Sequence, residues 1–276
     1  MKNKMGLCVL VTGAASGIGK ALTEQLSARG HRVYALDIAP IETKEGAVPF
    51  TCDVTDCGAI EDVLTALDTE NVRLDAIVCA AGIHSMTSFV EGDVIKMKRL
   101  IEINLLGVMQ TVRAYHRLLS PEGRVVIVTS EVAAYDPMPF NGLYNVSKTA
   151  LECYAQSLRQ ELNLLGQMVI TVRPGATETP LADSTTRSTR ELSENTVLYK
   201  GQASRFLRLV NKFKGTPIPP EKIAAILCKA ITAKHPRLVY TKHRSIGLVL
   251  LSLLPLRLQC AVIKLLLSRK SKQDVT

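Results

Sequence analysis

The stretch Leu7-Cys8-Val9-Leu10-Val11-Thr12-Gly13-Ala14-Ala15-Ser16-Gly17-Ile18-Gly19-Lys20-Ala21-Leu22 decides the fold. Its apolar run over 7–12 has the continuity of a strand buried on both faces. A glycine-rich turn follows, and a helix then runs over 19–29 and stops at Gly30. Glycine at 13 and 17 makes the turn tight and lets backbone approach a pyrophosphate, and Gly19 allows close packing of helix on strand. The free N–H groups and dipole at the helix start hold an anion. Gly13, Ser16, Gly17, Ile18 and Gly19 are therefore candidate cofactor contacts.

Working outward, 31–37 reads as a second strand ending on Asp37. A carboxylate there accepts from both ribose hydroxyls of an adenosine and repels a 2′-phosphate, and no Lys or Arg lies at 38–41 to offset it. The expected cofactor is NAD(H) in preference to NADP(H). Further strands fall at 48–52, 76–79, 124–129, 168–173 and 236–241, with helices at 59–67, 93–119, 144–165 and 221–233. Continuous V/I/L strands alternating with helices imply an α/β fold, a doubly wound parallel sheet of Rossmann type, with right-handed crossovers. Asp53 and Val54 after the third strand, and Ala81 after the fourth, are placed against the cofactor.

Composition bounds the function. Apolar residues make up 47% of the 276, enough for a large core, while aromatics are only 4% and Trp is absent, which disfavours a stacking platform for single-stranded nucleic acid. The seven cysteines include no CxxC pair and read as reduced, packed thiols, so no metal site is expected. No signal-peptide core follows the first residues, which points to the cytoplasm. The net charge of +9 is uneven: residues 1–182 carry 16 Lys and Arg against 20 Asp and Glu, whereas 183–276 carry 18 against 5.

Ser130 ends the 124–129 strand, and Tyr144-Asn145-Val146-Ser147-Lys148 opens the next helix. Transferring hydride to or from an alcohol carbon requires a matching acid or base at the oxygen. A free tyrosine titrates at about 10, but Lys148 lies one helical turn on, where its ammonium is expected to lower the Tyr144 pKa. Ser130, at the C-terminal end of a strand, is placed to donate to a carbonyl oxygen.

TGxxxGxG at 12–19, Asn104, Ser130, the Tyr144–Lys148 segment and RPGATET at 173–179 together resemble the short-chain dehydrogenase/reductases over residues 5–240. The resemblance implies hydride transfer between a nicotinamide and a carbonyl or alcohol. It also implies that Lys148 holds the nicotinamide ribose, that Asn104 fixes a water for proton relay, and that Pro174, Thr177 and Thr179 lie against the nicotinamide. A homo-oligomer formed through the helices at 93–119 and 144–165 is a further implication. The chain departs from the pattern at two places. Ser130 and Tyr144 are fourteen positions apart, so that Glu131 falls at the usual spacing, and the family's Asn-Asn-Ala-Gly turn is Cys79-Ala80-Ala81-Gly82 here.

The domain is expected to span 1–241, with 182–216 a mobile, Ser/Thr-rich lid holding some helix near 203–212. Residues 242–276 form a basic, apolar, amphipathic helical extension. Its 22-residue stretch 246–267 is long enough to span a bilayer, but Pro255, Arg257, Gln259 and Lys264 argue against spanning. It is expected either to lie on a membrane surface through 242–272, with Lys242, Arg244, Arg269, Lys270 and Lys272 at anionic head groups, or to pack over the substrate cleft or another subunit. Cations interleaved with leucines do not suit nucleic acid. The expected function is alcohol–carbonyl interconversion on an apolar substrate of steroid, retinoid-like or lipid type. The alternatives are a small polar substrate and a catalytically silent NAD-binding regulator on the same fold.

Overall fold

A computed structural model describes residues 6–42, 45–213 and 216–268, with side chains omitted at 211–213. The chain runs β1 (Cys8–Thr12), α1 (Gly17–Ser27), β2 (Arg32–Asp37), β3 (Ala47–Thr51), α2 (Cys57–Thr69) and β4 (Leu74–Cys79). It continues α3 (Val94–Ile101), α4 (Gly107–Tyr115), β5 (Leu119–Val128), α5 (Gly142–Asn163), β6 (Met168–Pro174), α6 (Pro180–Asn195), α7 (Lys200–Phe213), α8 (Pro220–Thr232), β7 (Val239–Lys242), α9 (Ile246–Ser252) and α10 (Leu256–Ser268).

All seven strands are parallel in the order β3-β2-β1-β4-β5-β6-β7, the doubly wound arrangement expected. The order reverses between β1 and β4, and in such sheets ligands bind at that switch point, beyond the strands' C-terminal ends. Alternation along each strand divides the core between two faces. Leu10, Ile77, Val125 and Ile127 lie under α2, α4 and α5. Val9, Val11, Ala76, Val78 and Val126 lie under α1 and α8.

The structure corrects five expectations. The helix at 93–119 is interrupted by a π-helical turn over Glu102–Leu106 that contains Asn104. The lid is mostly helical, beyond the short helix expected near 203–212: α6 and α7 occupy most of it. Ser/Thr hydroxyls of α6 bond back to carbonyls four residues earlier, Thr185 to Leu181, Thr186 to Ala182 and Thr189 to Thr185, which satisfies them within the helix. The last strand starts at Val239 rather than 236, and β5 reaches back to Leu119 through an irregularity opposite Leu74–Ala76. All seven cysteines are free, but Cys57, Cys153 and Cys260 are exposed on the outer faces of α2, α5 and α10 rather than packed.

The extension is two helices broken at Pro255, and no helix among the described residues is long and apolar enough to cross a membrane. Arg269, Lys270 and Lys272 lie outside the described residues.

Candidate active site

The glycine turn meets backbone on every side. Gly13 has φ of +70°, and a β-carbon on it would fall 2.7 Å from the Ala81 nitrogen. One on Gly19 would fall 2.0 Å from the Gly13 carbonyl oxygen. Neither position tolerates a side chain without moving β1 away from β4 or α1. The Thr12 hydroxyl accepts from Ala80 and Ala81 N–H at 3.2 and 3.3 Å, tying this turn to the end of β4. Ser16 is the N-cap of α1, yet its side chain makes no bond to the first turn. Gly17 faces Thr179, whose methyl would lie 3.0 Å from an added β-carbon, so the start of α1 and the segment after β6 converge. A helix N-terminus walled by backbone fits a pyrophosphate, as expected for a dinucleotide.

Asp37 ends β2 beside this turn. One carboxylate oxygen accepts from Ala15 N–H at 2.9 Å and the other from Ala39 N–H at 3.0 Å, which fixes its orientation. Asp53 is committed to structure: it accepts from Thr55 N–H and Oγ1 at 2.9 and 2.7 Å and from Arg99 Nη2 at 2.7 Å. Burial alone would raise its pKa, but the bonds from Thr55 and Arg99 hold it below the usual carboxylate value. Val54 is buried against Gly107 and serves packing. Ile18 packs on the α1 side of the core. Pro174 closes β6, while Thr177 is buried, donates to the Gly175 carbonyl at 2.9 Å and bridges to Ile218.

Ser130, Tyr144 and Lys148 come together at the C-terminal end of β5. The Ser130 hydroxyl sits beside the Tyr144 phenol. Lys148 Nζ lies 5.7 Å from the Tyr144 ring centroid and donates to the Val128 carbonyl at 3.3 Å. The electrostatics differ from the expectation that Lys148 would draw Tyr144 down. Burial pushes the Tyr144 phenol up to about 12, with Ser130 pulling the other way, and burial pushes Lys148 down to about 8. The ammonium sits over the ring face rather than at the hydroxyl, so desolvation outweighs attraction.

Glu131, which falls at the family's usual spacing, does not take Ser130's place. It accepts from Ser245 N–H at 2.6 Å and so anchors the C-terminal extension, while burial raises its pKa. The Asn104 side chain is fully engaged: Oδ1 accepts from Ile83 N–H at 2.8 Å, and Nδ2 donates to the Ile83 carbonyl at 2.9 Å and to Ser147 Oγ at 3.2 Å. The side chain therefore clamps the loop after β4 from within the π-turn, a distortion frequent at functional sites.

One site residue escaped the sequence reading. His84 is buried with its ring centroid 4.3 Å from that of Tyr144, and its Nε2 pairs with Asn141 Oδ1 at 2.9 Å. Its Nδ1 is buried without a hydrogen-bond partner. Burial pushes its pKa down to about 4, so the ring is neutral at pH 7. The lid closes over this segment: Ser184 donates to the His84 carbonyl at 3.4 Å, Met86 N–H to Ser188 Oγ at 3.0 Å, and Thr196 Oγ1 to Glu91 at 2.5 Å.

A glycine turn at the switch point and a Ser–Tyr–Lys cluster on the adjoining strand end define a dinucleotide-dependent oxidoreductase site. The sequence profile of the short chain dehydrogenases matches residues 7–190, and the chain belongs to that family. It is 26% identical over 230 residues to the 3-ketodihydrosphingosine reductase of Bacteroides thetaiotaomicron, covering 83% of this chain and 84% of that one. It is 30% identical over 200 residues to the NADPH-dependent 1-acyldihydroxyacetone phosphate reductase of Schizosaccharomyces pombe, covering 69% and 67%. A short-chain dehydrogenase structure from Streptomyces avermitilis superposes with a TM-score of 0.72 at 23% identity, covering 95% of this chain and 97% of that one.

Proposed function

We propose that this oxidoreductase interconverts a ketone and a secondary alcohol on an apolar, lipid-like substrate, with NAD(H) preferred over NADP(H). The observation that carries the chemistry is the Ser130–Tyr144–Lys148 cluster. Gly13, Gly17 and Gly19 would hold a nicotinamide dinucleotide, which would supply or accept the hydride. Tyr144, held protonated by burial, donates its proton to the substrate oxygen during reduction. Ser130 donates a second hydrogen bond to the same oxygen and stabilises charge developing there. Lys148 uses one N–H on Val128, and its others are free to hold the nicotinamide ribose and to restore the proton of Tyr144. The neutral His84 ring, beside Tyr144 under the lid, sets the polarity that the substrate meets.

The NAD(H) preference rests on Asp37, which Ala15 and Ala39 hold at the end of β2 with no cation at 38–41. The substrate class rests on the apolar cluster of Met86, Met138, Phe140, Phe206 and Leu267 that packs the lid against α10. Two relatives carry names that join a ketone to a sphingoid or acyl chain, which supports the same class. The test is titration of NADH and NADPH against the purified chain, followed by coupled assays on long-chain ketones, steroids and small sugars. Tighter NADH binding with turnover of an apolar ketone is expected. Binding without turnover on any of them would leave a regulator, and turnover of sugars alone would overturn the substrate class.

A further inference from the structure

α9 has the sequence Ile-Gly-Leu-Val-Leu-Leu-Ser, yet none of its residues is buried. Ile246, Leu250, Leu253 and Leu256 are 75%, 61%, 74% and 68% exposed. On α10, Leu258, Leu265 and Leu266 are exposed as well. An apolar surface of this extent on a folded chain marks an interaction site.

The same pair of helices is pinned to the domain through its inner face. Gln259 donates to Asp136 Oδ2 and to the Leu254 carbonyl, both at 2.9 Å. Leu267 is buried against Phe206, and Arg205 donates to the Leu267 carbonyl at 3.0 Å. Ser245 N–H is held by Glu131 at the start of α9. The outward leucines are therefore presented by a fixed support rather than left over from an unfolded tail. The inner face packs on the domain, and the outer face has no partner among the described residues.

The charge on this face identifies what covers it. No Asp or Glu occurs between Glu221 and Asp274, and Lys242, Arg244, Arg257 and Lys264 flank the exposed leucines. We propose that the outer face of α9 and α10 docks on a bilayer surface rich in anionic lipid. Leucines entering the acyl boundary while cations meet head groups is the pattern of an interfacial anchor. A second copy of this chain is a poorer occupant, because a two-fold contact would set these four cations against their own copies with no Asp or Glu between 222 and 273 to neutralise them.

The test is sedimentation of the full chain with sucrose-loaded vesicles of phosphatidylcholine alone or mixed with phosphatidylglycerol. The wild type is expected to sediment with the anionic vesicles, at least about tenfold more strongly than with neutral ones, and to be released by high salt. Leu250→Glu with Leu253→Glu changes only exposed positions, so the melting temperature holds while vesicle affinity falls about 100-fold, roughly tenfold per leucine. Wild type remaining in the supernatant, or a double variant that sediments like wild type, overturns the proposal. So does a wild-type oligomer that the double variant splits into monomers, since the face then belongs to a second copy.

Discussion

Lys148 is a charged group folded into a site that holds its pKa at about 8 instead of the ordinary 10.5. Each tenfold change in proton affinity is worth about 1.4 kcal/mol, so keeping this ammonium charged in the fold at pH 7 costs about 3 kcal/mol. Lys148→Met keeps the length of the side chain and removes the charge. It also removes the donor to the Val128 carbonyl, a loss of about 1 kcal/mol. The variant should therefore be about 2 kcal/mol more stable than wild type at pH 7. With unfolding entropies of about 2.1 cal/mol/K per residue, that is a rise in Tm of about 3–4 °C, accompanied by loss of turnover. The sign with pH follows from the depressed folded pKa. The unfolded state binds more protons between pH 8 and 10.5, so wild type gains stability over that range. The variant's advantage is full below pH 8 and disappears by pH 10.5. Calorimetry of both proteins without cofactor, from pH 6.5 to 10.5, reads this directly. A variant that is less stable at pH 7, or an advantage that does not shrink on going alkaline, would refute the view that Lys148 is held charged against its surroundings for function.

Three further outcomes follow from the same geometry. Asp37→Ala should relax discrimination against NADPH by tenfold or more in fluorescence titrations, and unchanged discrimination would remove Asp37 as the reader of the 2′-position. Arg173 donates to both oxygens of Glu152 at 2.8 and 2.9 Å, and Thr129 donates to Glu152 at 2.6 Å, inside the β6–α5 contact. Although burial pulls Glu152 upward, these donors hold its pKa below 4.5, so the pair stabilises the fold above that pH and the contribution is lost as pH falls through the folded value. Arg173→Met should then lower stability by about 3 kcal/mol in denaturant titrations at pH 7. His84, depressed by burial to about 4, destabilises the fold as pH falls from 6.5 to 4, because the unfolded state protonates first. In His84→Gln that part of the acid transition should vanish from pH-dependent melting curves.

What was legible in the sequence is what local spacing encodes. The glycine turn is defined by residues within one strand–helix unit, and Tyr144 and Lys148 by one turn of α5, so their spacing alone fixes their places. The NAD-side carboxylate at the end of β2 was read from strand length alone. What escaped depends on contacts distant in sequence or on local physics that apolar patterns do not report. The π-turn at Asn104 lies within an unbroken helical pattern, and the contact its side chain makes with Ile83 reaches across 21 residues. The helix α6 has too few apolar residues to show a period, and its hydroxyls turn back onto its own carbonyls. His84 gained its role from Asn141, 57 residues on, and from a lid that the sequence presents only as a polar stretch.

The central claim is that Tyr144 exchanges the proton that accompanies hydride transfer. The most direct measurement is a single-turnover reaction of 4-deuterated NADH with a long-chain ketone, following deuterium in the alcohol by mass spectrometry for wild type and Tyr144→Phe. Deuterium should reach the carbinol carbon in wild type, and the rate should fall by about 10³ or more in the variant while NADH affinity stays within a few-fold. Equal rates in the two proteins would contradict the account.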